Sequence, residues 1–287
     1  MKIDAVKDHR SREGGAIIYP VYSRRSKGLS IGVNLFPDRK QCLFDCPYCE
    51  IFPFETDIVF SLEIMKTALA SAINEAKRNA IPIKDICFSG NGEPTMSPNF
   101  PEAVSEAALI RSELAPEAKI VVISNGTGLL HTPIFEFLIH SCTSGMELHL
   151  WLKIDAAAET WYKSINRSNI PLEQLISKIH DFAASSAPFT VQTMLCKISG
   201  LLPPPEEVSA WVQLITELAV MSSIAGRSSD AGLDPQIRAV HIYGKARSAR
   251  EDPLAQAVSL AILEERAELL RLSFKKAGIN LPVEVFE

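Results

Sequence analysis

Apolar residues recur along the chain in two alternating rhythms. Short runs rich in Ile, Val, Leu and Phe occupy Leu29–Phe36, Asp85–Ser89, Lys119–Ser124, Glu147–Ile154, Phe189–Cys196 and Ile237–Tyr243. Runs of this length and composition predict strands covered on both faces. Between them, apolar positions return at helical spacing and predict helices over Leu62–Asn79, Phe100–Glu113, Pro133–Ser141, Leu172–Ala184, Glu206–Ser222 and Pro253–Lys276. Pro171 and Pro205 stand where a first helical turn tolerates proline, and Gly278 is a stop signal after the last helix. Leu281–Phe286 reads as a closing strand, and the Ser-, Gly- and Asp-rich segment Ser222–Gln236 as a loop. Without a repeat or a second composition zone, residues 1–28 are expected to form an N-terminal extension and residues 29–287 a single domain.

Six consecutive βα units imply α/β architecture with a parallel sheet and right-handed crossovers. Periodicity alone permits a doubly wound open sheet or a partial barrel. Both gather their chemistry at the carboxyl ends of the strands, so polar residues just after strands are the ones to examine.

Composition narrows the setting. With 47% hydrophobic and 22% charged residues, the 287-residue chain has material for a sizeable core and is not a disordered polymer. A net charge of −5 gives no global attraction to nucleic acid or an anionic membrane. The opening MKIDAVKDHRSREGG is too polar for the apolar core of a signal peptide, and no stretch is long and apolar enough to span a bilayer. A cytoplasmic protein without membrane association is therefore expected, and its six cysteines read as metal ligands or buried thiols before disulfides.

Cys42, Cys46 and Cys49 follow the first predicted strand with C-x3-C-x2-C spacing. Three soft sulfur ligands in one loop suit an iron–sulfur cluster or zinc. A structural zinc site wants a fourth protein ligand, and Cys87, Cys142 and Cys196 are far away in sequence. The second strand runs into Ser89-Gly90-Asn91-Gly92-Glu93-Pro94-Thr95, where two glycines permit a tight turn and Glu93 presents a carboxylate suited to an ammonium group. The third strand ends in Ser124-Asn125-Gly126-Thr127, by itself an ordinary turn sequence. The fourth alternates so that His149, Trp151, Lys153 and Asp155 share a face, where Lys153 and Asp155 pair with each other or with a ligand. Gln192, Met194 and Cys196 share a face of the fifth strand. The sixth carries His241 and Tyr243 into Gly244-Lys245-Ala246-Arg247, whose basic residues read first as solvated. Arg24, Arg25, Lys27, Arg39 and Lys40 form a basic cluster, read as solvated or as counter-charge to thiolates before it is read as a phosphate site.

Taken together, the cysteine loop with Tyr48 before its last thiol, the Gly90–Pro94 turn and the Asn125 turn resemble the radical S-adenosylmethionine superfamily. That resemblance implies a partial (β/α)6 TIM-like barrel and two cofactors. One is a 4Fe–4S cluster on Cys42, Cys46 and Cys49 with an open iron. The other is S-adenosylmethionine, cleaved reductively to a 5′-deoxyadenosyl radical that abstracts hydrogen from a substrate. It assigns Gly90, Asn91, Gly92, Glu93 and Pro94 to the methionine amino group, although Asn91 departs from the Gly-Gly-Glu-Pro pattern. The backbone around Tyr48 falls to the adenine, Lys153 and Asp155 to the ribose or carboxylate, and Asn125 to the cofactor or its supporting residues. Asn166-Arg167 resembles a position beside that site. Within the superfamily the LFPDRKQCLFDCPYCE and FSGNGEPT segments look most like iron–sulfur oxidoreductases related to wybutosine-type tRNA-modifying enzymes. No cysteine precedes the triad to build a second cluster, and no flavodoxin-like domain is recognisable, so a separate flavodoxin- or ferredoxin-like electron donor is expected. The substrate is left unassigned, with RNA and a partner protein as the two classes considered. The alternatives are a wybutosine-type tRNA enzyme, a radical activase or peptide modifier and, outside catalysis, a zinc or iron–sulfur binding module.

Overall fold

The computed structural model describes residues 16–225 and 236–287. The first fifteen residues of the expected extension, and residues 226–235 of the expected Ser222–Gln236 loop, lie outside the described residues.

In chain order the elements are β1 (Ile18–Ser23), β2 (Gly28–Val33), α1 (Leu62–Arg78), β3 (Ile83–Phe88), α2 (Phe100–Leu114), β4 (Lys119–Ser124), α3 (Thr132–Thr143), β5 (Leu148–Lys153), α4 (Glu159–Ile165), α5 (Leu172–Ala183), β6 (Phe189–Leu195), β7 (Lys197–Ile198), α6 (Pro205–Ala225), β8 (Ile237–Gly244), β9 (Ala255–Gln256), α7 (Leu260–Ala277) and β10 (Val283–Phe286). Each of β2, β3, β4, β5, β6 and β8 is followed by a helix before the next of these strands or the chain's end, which is the expected series of six βα units. Two compact units divide the chain: Met1–Cys42 with Ile51–Ser124 and Ser144–Leu150, and Leu43–Glu50 with Asn125–Thr143 and Trp151–Glu287. Strand β5 contributes to both, passing from one to the other after Leu150.

In the first unit β2, β3 and β4 pair in parallel, and β1 lies antiparallel along β2 with Ile18 opposite Val33 and Ser23 opposite Gly28. Strand β1 falls within the segment expected to be an extension. An outermost strand tolerates Pro20, which lacks the donor an inner strand would need. Its partner residue Gly32 leaves room for the Tyr19 ring, since a Cβ there would sit 2.2 Å from that ring. Helix α1 starts where the Ser61 hydroxyl caps Ile64 N–H and buries Met65, Leu69 and Ile73, one stripe at helical spacing. Helix α2 delivers Phe100 edge-on to Phe88 at the end of β3, 6.3 Å between centroids.

In the second unit β6, β8 and β10 run parallel, with Gln192 opposite His241 and His241 opposite Glu284. Phe182 of α5 meets Phe189 of β6 edge-on at 5.6 Å, and α7 buries Leu263, Leu270 and Phe274. Gly278 ends α7 in the left-handed conformation at φ 71, as its position predicts.

Three local expectations change. Helix α6 continues past Ser222 because Ser222 and Ser223 turn their hydroxyls back onto the Ala219 carbonyl, 3.0 and 2.7 Å away, which satisfies polar groups read as loop formers. Helix α7 starts at Leu260, after Ser259, because Ala255–Gln256 is drawn into an antiparallel pair with Lys197–Ile198. Pro171 is the capping residue of α5 and stands one position before its first turn. Among the described residues no helix is long and apolar enough to cross a membrane.

Candidate functional site

The first unit builds a loop from backbone. Just after β2, the Asn34 side-chain carbonyl accepts from both Phe36 N–H and, beyond β3, Asn91 N–H at 3.1 Å, while the Asn91 amide donates to the Phe36 carbonyl at 3.1 Å. Gln41, the residue before the first cysteine of the motif, donates its N–H to the Asn91 carbonyl (3.0 Å) and accepts from Glu93 N–H (2.8 Å). That parallel bridge, Gln41 opposite Gly92, explains the second glycine. A Cβ on residue 92 would lie 1.9 Å from the Gln41 carbonyl oxygen. Gly90 is required for another reason, its φ of +118.

Glu93 is almost completely buried, at 3% exposure. Its Oε1 accepts from Thr95 N–H (3.2 Å), Thr95 Oγ1 (2.6 Å) and Ser124 Oγ at the end of β4 (2.8 Å). It caps the 3-10 turn Pro94–Met96, so the carboxylate fixes the loop's exit. Pro94 supplies the first residue of that turn and is itself buried.

The second unit builds its polar cluster from distant side chains. Asp155, 6% exposed and just beyond β5, is the hub. One oxygen accepts from Met194 N–H at 2.9 Å; the other accepts from the Tyr48 hydroxyl and from the Asn166 amide at 3.1 Å. The Lys153 ammonium stands 3.2 Å from that second oxygen and donates to the Tyr48 oxygen at 2.7 Å, with its charge 4.6 Å from the Tyr48 ring centroid and 5.7 Å from that of Tyr243. Asn166 carries the network to the cysteine loop. Its amide donates to Cys46 Sγ at 3.5 Å, and its carbonyl accepts from Asp45 N–H at 3.0 Å.

These contacts set the charges. Burial alone would lower the Lys153 ammonium, but Asp155, with Tyr243 and Cys46, holds it above its ordinary value. Burial, reinforced by Asp155, pushes the Tyr48 phenol well up, so it stays a neutral donor. Burial also raises the Cys46 thiol, against the pull of Lys153. Cys87 and Cys196 are pushed up to about 12 by burial and are core thiols. None of the six cysteines is in a disulfide, and Cys42, Cys46 and Cys49 are partly exposed.

Of the residues singled out in the sequence, Gly90 to Pro94 form one cluster in the first unit, and Tyr48, Lys153 and Asp155 form another with Cys46 in the second. Asn125 turns inward on its own loop, its Oδ1 accepting from Thr127 N–H (3.0 Å) and Thr127 Oγ1 (2.8 Å). Lys245 and Arg247, read first as solvated, are paired with Asp252 at 2.6 Å and Glu50 at 2.9 Å. Sequence reading missed Asp45, Arg250 and Glu251 and left Asn166 without a role. Among the described residues no three His, Cys, Asp or Glu side chains already stand together as a metal site. What fits a cluster is the donor set, three unbridged thiols on one loop.

No family model matches the chain. Over 122 residues it is 33% identical to a UPF0026 protein of Helicobacter pylori, covering 41% of this chain and 37% of that protein. The chain thus spans well under half the length of the curated relatives it matches. Among solved structures it superposes on SuiB of Streptococcus suis bound to precursor peptide SuiA, with TM-score 0.61 at 13% identity over 92% of this chain and 51% of that one. SuiB bound to S-adenosylmethionine gives the same TM-score over 88% of this chain and 50% of that one, again at 13% identity. TYW1 with a lysine-pyruvate adduct gives 0.57 at 13% identity over 85% of this chain and 73% of that one.

Proposed function

The chain has the partial-barrel fold of the radical S-adenosylmethionine enzymes, and from that premise we propose that it is one of them by activity, using a 4Fe–4S cluster on Cys42, Cys46 and Cys49 to cleave S-adenosylmethionine. When bound, the two cofactors supply one-electron cleavage of a sulfonium, which yields methionine and a 5′-deoxyadenosyl radical able to abstract hydrogen from a substrate. The observation that carries the reading is the double backbone bond between Gln41 and the Asn91–Glu93 loop, which ties the approach to Cys42 to the turn assigned to the methionine amino group. A likeness to a structure holding S-adenosylmethionine agrees with it.

The chain's own residues then have distinct tasks. The partly exposed Gly90–Gly92 turn approaches the amino group, while Glu93 keeps that backbone in place. Asn125 orders the next strand end. Lys153 and Asp155 contribute a fixed ammonium–carboxylate pair with Tyr48 between them, suited to the carboxylate and ribose hydroxyls of the cofactor. Neutral Tyr48, within the cysteine loop, keeps its buried ring against Lys153 and helps exclude water. The electron comes from a separate flavodoxin- or ferredoxin-like donor. A peptide or protein substrate is suggested by the peptide-bound SuiB structure, and an RNA substrate by the resemblance to wybutosine-type enzymes.

The test is anaerobic reconstitution with iron and sulfide, reduction with dithionite and assay for 5′-deoxyadenosine. The product is expected from the wild type, and Cys46→Ala is expected to bind no cluster and form none. A fully loaded wild-type protein that never yields 5′-deoxyadenosine, or one that takes up stoichiometric zinc in place of iron and sulfide, overturns the reading.

A further inference from the structure

The segment after β8 returns to the cysteine loop and grips it at both ends. Arg250 N–H donates to the Cys49 carbonyl at 3.1 Å, and the Arg250 guanidinium stands 2.7 Å from Asp45 and 2.6 Å from Glu251. Glu251 is 2.7 Å from Arg167, which in turn lies 3.9 Å from Asp45. Asp45, Arg250, Glu251 and Arg167 therefore close a ring of alternating charge beside Cys46. A further pair, Arg247 with Glu50 at 2.9 Å, holds the residue after Cys49.

The segment is itself braced. Lys245 and Asp252 pair across it at 2.6 Å, Asp252 accepts from Ala249 N–H at 2.9 Å, and Ala255–Gln256 is paired with Lys197–Ile198. Loops that protrude without such ties open locally at little cost. This one has a built frame on one side and two carboxylates of the cysteine loop on the other. Ion pairs this exposed contribute little singly, but Arg250 makes the two shortest pairs of the ring, so its loss leaves only the Arg167 pairs to hold Asp45 and Glu251.

We infer that Lys245–Glu251 is a latch on the cysteine loop and that Arg250 is its positioning residue, holding Cys46 and Cys49 in place before any metal arrives. The inference rests on the proposal that these thiols carry the cluster, but the latch is testable without it. In the metal-free protein, iodoacetamide alkylation is followed cysteine by cysteine by mass spectrometry. Arg250→Ala is expected to raise the rates at Cys46 and Cys49 several-fold, the size expected for losing two partly exposed ion pairs, with Cys87 and Cys196 unchanged. Arg250→Lys, which keeps the charge and the backbone N–H but loses the rigid planar head that places one nitrogen between both carboxylates, should fall between the two. Asp45→Asn opens the same ring from the loop side and should mimic Arg250→Ala in direction, and 1 M NaCl should raise the Cys46 and Cys49 rates of the wild type but not of Arg250→Ala. After reconstitution, Arg250→Ala should shift the cluster's midpoint potential, whereas Arg271→Ala, a remote ion-pair variant on α7, should not. Unchanged alkylation at Cys46 and Cys49, or a parallel rise at Cys87, overturns the latch. Altered alkylation in a protein that binds no cluster overturns the proposed function and leaves the latch standing.

Discussion

The glycine loop of the first unit and the Asp155 cluster of the second do comparable work by opposite means. The loop is held by short-range geometry: backbone bonds to Gln41, a carboxylate capping the residues next to it, and two positions where a side chain has no place. The cluster is held by side chains that meet across more than a hundred residues, Tyr48 with Lys153 and Cys46 with Asn166. The loop is a steric device and the cluster an electrostatic one. Substitution should therefore produce misfit in the first and uncompensated charge in the second.

Removing the hub should have the largest effect. Asp155→Ala leaves a mostly buried ammonium without its carboxylate and three donors without an acceptor, a loss of about 3–5 kcal/mol. Urea denaturation of metal-free protein measures it, and a loss below about 1 kcal/mol would show that water replaces the carboxylate. Gly92→Ala comes next, at about 1–3 kcal/mol, because backbone must move to admit the Cβ. Hydrogen exchange should show that loss concentrated at Gln41, Asn91 and Glu93. Ser124→Ala removes one of the donors to Glu93 and should cost about 1 kcal/mol by the same denaturation experiment.

The remaining effect is one of pH. Glu207 at the start of α6 accepts from Ala157 and Ala158 N–H at 2.8 and 2.7 Å, holding the chain just past Asp155. Burial raises its carboxyl to about 7, against those two amides and Arg266. The folded state then binds this proton more tightly than the unfolded chain, so its contribution is fully present below the ordinary glutamate value and is lost as pH rises towards 7. Thermal melts of Glu207→Gln and wild type between pH 5 and 8 should show the variant gaining relative stability with rising pH. Parallel curves would remove Glu207 from the account.

Legibility followed the same division. The βα series was readable because buried strands are unbroken apolar runs and helices keep their period, and β4 ends where its sequence predicts. Strand β1 was missed because Tyr19, Pro20 and Tyr22 on an outermost strand lack that pattern, and α4 because seven residues show too little periodicity. The cysteine spacing and the Gly90–Pro94 turn are local strings and were visible. Glu93 was visible as a carboxylate, but its task as a cap on Thr95 and Ser124 depends on β4 lying beside β3. Asn166 was legible only as a position beside the site, without its task, and Arg250 carries no local signature at all. Their significance is created by folding, which brings ordinary polar residues to Cys46 and Cys49.

The bridge between Gln41 and Gly92 limits what a short peptide can imitate. A synthetic strand copying residues 42–49 reproduces the sulfur spacing and would take up iron from solution like many cysteine-rich peptides. It would begin one residue after the stitch that gives the motif its heading, and it would carry nothing of the turn that Gln41 faces. Sulfur spacing is portable; the direction from which the first cysteine enters is set by a bridge to a residue about fifty positions away.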